Sequence, residues 1–283
     1  LKILYIKANK MLKTRLIPVL LLKNGILVRS RRFSFHQSTG NHLYQVERLS
    51  AWKADEIIYL DISRESDHCM KSGTSVIGST SSNLHNTKPN NVDIRAVVSD
   101  ISKVCRVPLT IGGRIKTLEE IRIRLSMGAD KVSINTAALN NPDFIQNAAR
   151  EFGSQCIVVS IDVKKEDDSW VVYKDFGKTR TNFSVEEWIK KVEDLGAGEI
   201  LIQSIDRDGS GLGYDLELLK FVNKVAKIPI IVLGGVGEFE HFVEASMIGK
   251  NIALSAANIF HFTEQSVLKV KKYLSIKGLD IRI

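Results

Sequence analysis

The chain has 283 residues, 44% of them hydrophobic and 25% charged, with a formal net charge of +8. It is long enough for one α/β barrel of about 250 residues. No apolar run approaches the ~20 residues that cross a bilayer, and lysines at 2, 7 and 10 break up any signal-peptide core. A chain without a membrane-spanning helix is expected, in the cytoplasm, with Met11 as the natural start and residues 1–10 as an upstream extension.

Three cysteines, at 69, 105 and 156, show neither metal-ligand nor redox spacing, as in a reduced compartment. The charge is uneven. Residues 1–46 carry nine Lys or Arg and no acid, which leaves 31 basic against 32 acidic residues elsewhere. No nucleic-acid-binding motif accompanies this basic segment. Arg29, Arg31 and Arg32, following a first strand, better suit a phosphorylated small substrate.

In chain order, β-branched runs predict strands at 15–21, 56–62, 107–112, 131–135, 156–162, 199–205, 229–234 and 252–256. Amphipathic helices are predicted between them, among them 117–127, 141–152, 185–195, 215–226 and 238–247. Eight strands alternating with helices predict a single (β/α)8 TIM barrel over residues 11–283.

The sequence also repeats. ADEIIYLDIS (54–63) resembles AGEILIQSID (197–206) at an offset of 143, and VPLTIGGRI (107–115) resembles IPIIVLGGVG (228–237) at an offset of 121. The shortfall places an insertion in the first half, about 63–91, whose Ser, Thr, Asn and Gly content predicts a loop overhanging the catalytic face. It serves as a substrate lid or as a surface insertion. The same repeat aligns Leu21, at the end of strand one, with Asp162, at the end of the fifth barrel strand.

Barrels carry their working groups at the C-terminal ends of strands. Four motifs fall there: Asp162; SIDRDGSGLGYD (204–215), which contains Asp206 and Asp208; the corners GGR (112–114) and GGVG (234–237); and SAANIF (255–260). A carboxylate ending an apolar strand costs free energy unless paired or functional. The glycines either permit tight turns or expose N–H groups to an anion. The recurrence of two corners favours phosphate binding, and at both ends of a substrate.

From Met11 onward the chain resembles the cyclase subunit (HisF) family of imidazole glycerol phosphate synthase. The resemblance is carried by GADKVSINTAA (128–138), FGSQCIVVSIDVK (152–164), GAGEIL (196–201), SIDRDG (204–209), GYDLEL (213–218) and ANIFHF (257–262). It implies a barrel that receives ammonia from a HisH-type glutaminase, in a heterodimer. At its C-terminal face the barrel cleaves and cyclises a bis-phosphorylated ribulosyl-aminoimidazole nucleotide.

Carried over by position, the resemblance makes Asp162 a catalytic acid/base. Arg29, Thr136, Asp208, Gly209, Gly235, Ala257 and Asn258 become phosphate or substrate positions. Arg15, Glu56, Lys131 and Glu199 form the charged mouth of an ammonia channel, and Asp130 faces the glutaminase. Read without the resemblance, these last residues are rim ion pairs worth ~0–1 kcal/mol each.

Two positions depart from the family. Leu21 replaces its second catalytic aspartate, and Arg114, also assigned to substrate binding, replaces a corner glycine. Both features resemble paralogues associated with amidation of bacterial surface sugars. There the barrel supplies ammonia to a third, amidotransferase protein that forms acetamidino groups on a nucleotide-linked sugar. Three readings are open: ammonia supply for sugar amidation, ordinary histidine biosynthesis, or a non-catalytic barrel that only activates its glutaminase. The second needs Asp162, or Asp61 or Asp206, to cover both proton transfers. No metal or organic cofactor is indicated, and no nucleic-acid or membrane partner.

Overall fold

The structure, a computed structural model, describes residues 13–63, 94–249 and 251–283. The predicted N-terminal extension and nearly all of the 63–91 insertion lie outside the described residues.

Eight parallel strands close into a barrel in the order β1 (Leu16–Lys23), β4 (Ile57–Asp61), β5 (Leu109–Gly112), β6 (Lys131–Ile134), β7 (Ile157–Glu166), β10 (Glu199–Ser204), β11 (Ile230–Leu233) and β12 (Ile252–Ala256). β12 pairs back onto β1 through Leu16↔Leu254 and completes the ring. Helices α1 (His42–Ala51), α2 (Ile94–Val104), α3 (Leu118–Ser126), α5 (Asp143–Phe152), α6 (Val185–Asp194), α7 (Leu216–Val225), α8 (Phe239–Ser246) and α9 (Val267–Ile276) alternate with the strands, and a short α4 (Thr136–Asn140) precedes α5. The (β/α)8 prediction holds.

Local sequence explains where these helices begin. Thr117 with Glu120, and Ser184 with Glu187, form reciprocal capping boxes at the starts of α3 and α6. The helices bury one face against the outside of the barrel, where Trp188, Phe242 and Phe260 are at most 1% exposed. Each fully buried large apolar side chain contributes ~1.5–3 kcal/mol. A second, smaller cluster fills the barrel interior: Ile17, Val19, Leu21, Ile58, Val158, Leu201, Ile231, Leu233 and Ala253, together with Val28.

The predicted strands missed two hairpins. β2 (Ile26–Arg31) and β3 (Phe35–Gly40) extend β1, while β8 (Ser169–Lys174) and β9 (Thr179–Ser184) extend β7. Both fold back over the C-terminal face, so β1 and β7 run longer than predicted. The two hairpins occupy equivalent places in the repeat. Arg32 and Phe33 hold left-handed backbone in one turn, and Asp175 and Phe176 hold it in the other.

The N-terminal face is closed by the ends of the described chain. Thr14 pairs in parallel with Ile281. Lys271 of α9 meets Asp55 at 2.9 Å, with side chains only 2% and 4% exposed.

Candidate functional site

At the C-terminal face, Asp162 is 7% exposed on the inward side of β7. Its Oδ2 accepts a 2.8 Å hydrogen bond from Asn135 Nδ2. Burial, reinforced by the charge of Asp208 and opposed by the Asn135 hydrogen bond, raises its pKa to about 7. A carboxyl so placed can donate or accept a proton near neutrality. Asn135 was not singled out from the sequence, although it lies within the SINTAA run. Its Oδ1 is buried with no hydrogen-bond partner in the structure.

Leu21 occupies the matching place in the first half. β1 aligns Leu21 with Val28 and Leu60; β7 aligns Asp162 with Tyr173 and Gln203. The two sites therefore share one geometry and differ in chemistry. Around Leu21 the interior is apolar, and Ala257 packs against this cluster.

Asp208 is buried, and its Oδ2 accepts hydrogen bonds from Ser30 Oγ at 2.8 Å and Phe33 N at 3.1 Å. Arg32 N donates to its backbone oxygen at 3.0 Å. The residue thus holds the β2–β3 turn. Burial raises its pKa against the pull of those donors. Thr136 Oγ1 makes a related tie in the other half, accepting from Asp175 N in the β8–β9 turn at 3.1 Å. Asp61 and Asp206, the alternative carboxylates, are also engaged: Asp61 Oδ1 by Ser63 N, Asp206 Oδ2 by Lys165 N.

Arg29, Gly209 and Asn258 come together, lining a cavity of about 490 Å³ with Ser210, Gly211, Gly237 and Glu264, whereas Thr136, Asp208, Gly235 and Ala257 do not line it. Arg29 Nε donates to Gln37 at 2.9 Å, and Asn258 Nδ2 donates to the Ser30 carbonyl at 2.8 Å. A Cβ at Gly209 would lie 2.3 Å from that same carbonyl, so only glycine lets the two loops approach. Gly235 is required for a similar reason: its Cβ would sit 2.0 Å from the Gly213 oxygen.

Arg114 lies elsewhere, in the corner after β5, with left-handed backbone (φ 56°) and Nη1 3.7 Å from the buried Asp61 carboxylate. The strands β5 and β11 start 121 residues apart, so Gly113 matches Gly234 and Arg114 matches Gly235.

At the opposite face, Arg15, Glu56, Lys131 and Glu199 form a closed ring. Arg15 Nη1 lies 2.5 Å from Glu56 and 2.8 Å from Glu199; Lys131 Nζ lies 3.0 Å and 3.1 Å from the same two carboxylates. Burial alone would lower the pKa of Arg15, but Glu199 and Glu56 outweigh it and hold it raised. Asp130, next to the ring, accepts from Leu109 N at 2.8 Å.

Between ring and Asp162 the interior has two sides. Inward positions on β5, β6, β7 and β10 are Thr110, Ser133, Ser160 and Gln203, each at most 8% exposed. The facing strands supply Ile17, Val19, Ile58, Ile231 and Ala253. Hydroxyl and amide groups therefore line part of the way from one face toward the other, interrupted by the inward Val158 of β7 and Leu201 of β10.

Comparison with known proteins agrees with this architecture. A family profile described as "Histidine biosynthesis protein" matches residues 15–266. A provisionally named imidazole glycerol phosphate synthase subunit hisF2 from Vibrio vulnificus is 43% identical over 274 residues, covering 96% of this chain and 92% of its own. The imidazole glycerol phosphate synthase subunit HisF of Hydrogenobaculum is 42% identical, over 96% of this chain and 100% of its own. That of Caulobacter vibrioides is 39% identical, over 96% and 97%.

Proposed function

The chain belongs to the histidine biosynthesis protein family, as a HisF-type barrel, and from that premise we propose that it conducts ammonia rather than performing the full cyclase reaction. A HisH-type glutaminase docks on the face carrying the charged ring and Asp130. Ammonia passes the ring and then the polar groups of Thr110, Ser133, Ser160 and Gln203 on its way to Asp162. Confinement suits this cargo, because ammonia released into water near neutral pH is mostly protonated and loses its nucleophilic lone pair. The end use is amidation of a nucleotide-linked surface sugar, in acetamidino formation, by a third protein.

The observation that carries this reading is Leu21, 6% exposed in an apolar cluster at the place where its counterpart is Asp162. Cyclisation that uses two positioned carboxyls loses ~10²–10⁴ in rate without one of them. The cavity at Arg29, Gly209 and Asn258 holds a phosphate group of the ligand at this face.

Asp162, poised near neutrality beside Asn135, favours a second reading: the cyclase of histidine biosynthesis working with one carboxyl. In that role it would form imidazole glycerol phosphate and an aminoimidazole carboxamide nucleotide.

The deciding experiment combines the chain and its glutaminase with glutamine and the bis-phosphorylated ribulosyl-aminoimidazole nucleotide. Glutamate release without imidazole glycerol phosphate is the expected result. Robust product would establish the histidine-pathway reading instead.

A further inference from the structure

The two halves treat their anion corners differently. β5 and β11 begin at Leu109 and Ile230, and α3 and α8 at Leu118 and Phe239, both 121 residues apart. At that offset Arg114 matches Gly235, Glu120 matches His241 and Arg124 matches Ala245. At the offset of 143 that relates β4 to β10, Asp61 matches Ser204. Two guanidiniums and two carboxylates thus stand in the first half where the second half has no permanent charge.

Each of these four groups is engaged with another of them or with the backbone around it, although Arg124 Nε is buried without a partner. Arg114 Nη1 is 3.7 Å from Asp61 Oδ2. Arg124, 5% exposed, donates to the Glu120 carbonyl at 2.9 Å and the Gly113 carbonyl at 3.1 Å. Glu120 Oε2 accepts from Lys116 N at 2.6 Å and Thr117 N at 3.1 Å. Those amides precede and cap α3, so the contact sets the Glu120 carboxylate beside the helix N-terminus, where an incoming anion would meet its negative charge.

In the second half, Gly237 N and Glu238 N donate to His241 Nδ1, a ring nitrogen rather than a carboxylate, at 3.2 Å each. There Arg29 supplies positive charge to an open cavity of about 490 Å³ that Glu264 also lines. The left-handed backbone of Arg114 costs ~1 kcal/mol relative to glycine, a cost that turn geometry alone would not require.

We infer that the ligand of this face carries one phosphate, seated in the second-half cavity, and no phosphate at its other end. The first-half corner is filled by its own charges, and Arg114 with Glu120 determines that specificity. The inference deepens the proposed function and rests on its reading of the second-half cavity as a phosphate site.

The test is equilibrium dialysis of the full chain against inorganic phosphate, with backbone amide shifts to locate the sites. One phosphate per chain is expected, with shifts at 209–211 and 237. The variant Arg114→Gly/Glu120→His, which copies the second half, is expected to take up two. Two phosphates on the native chain, with shifts at 113–117, would overturn the inference. So would a count of one on the folded double variant, checked by its melting temperature. A count of zero on the native chain would overturn the phosphate reading of the cavity and the inference with it. The native count decides even if the double variant does not fold.

Discussion

Leu21 and Asp162 sit at the same register of the two half-barrels, one against Val28 and Leu60, the other against Tyr173 and Gln203. Identical backbone thus presents a hydrocarbon on one side of the mouth and a titratable carboxyl on the other. That asymmetry governs both the proton chemistry of the mouth and the response of the fold to pH.

Asp162 should weaken the fold as pH rises. Its carboxyl holds a proton in the folded protein until about pH 7, against a usual value of 3.8. Between these values unfolding releases a proton, so stability falls with increasing pH and the full loss is present above pH 7. Asp162→Asn is therefore expected to match the native chain near pH 4 and to exceed it above pH 7, by at most about 4 kcal/mol. Urea midpoints at a series of pH values measure this. A gap that stays constant from pH 5 to 8 would show that Asp162 does not titrate near neutrality.

Leu21→Asp and Leu21→Asn should both destabilise, by ~2–5 kcal/mol, since each removes a buried branched side chain and puts a polar group in its place. Only the aspartate can transfer protons. With glutaminase, glutamine and the bis-phosphorylated nucleotide, and with the first-half corner opened by Arg114→Gly/Glu120→His, imidazole glycerol phosphate is expected from Leu21→Asp and not from Leu21→Asn. Equal output from the two variants would remove Leu21 as the cause of the divergence.

Lys131→Met leaves Glu56 and Glu199 sharing Arg15 alone. If the ring is the ammonia entrance, output supported by glutamine should fall while output supported by added ammonium salts holds. The ratio of the two is the readout. Parallel decline of both would assign the ring a structural role only.

Lys271→Met strands the buried Asp55 carboxylate, and removing one partner of such a pair typically costs ~3–5 kcal/mol. Lys271→Met/Asp55→Asn should recover much of this, because the amide oxygen can still accept from Leu16 N, now bonded to Asp55 Oδ2 at 2.8 Å. Chemical denaturation of the two variants gives the comparison. No recovery in the double variant would mean that Lys271 acts through packing of its alkyl stem.

The barrel strands were legible because each is a short, nearly continuous apolar run, as parallel strands covered on both faces must be. The hairpins were not, because β3 is largely exposed and its polar sequence, FHQSTG, reads as loop. Leu21 could be found because a repeat supplied its expected identity. The charged corner could not: Asp61 comes from β4, Arg114 from the turn after β5, and Glu120 and Arg124 from α3, and singly each resembles an ordinary polar residue. Asn135 escaped for a related reason, as its only mark is a hydrogen bond to a residue 27 positions away.

The pairing of Thr14 with Ile281 has a practical corollary for anyone handling the protein. Thr14 and Ile281 lie beside Arg15, on the face where the glutaminase is proposed to sit. A short affinity tag or fluorescent label attached at Thr14 or Ile281 would crowd that face and mimic a loss of partner binding. Labels are better placed on the outer helices, at exposed Glu186 or Lys190 of α6, whereas a fused glutaminase joined near Thr14 or Ile281 would start close to its berth.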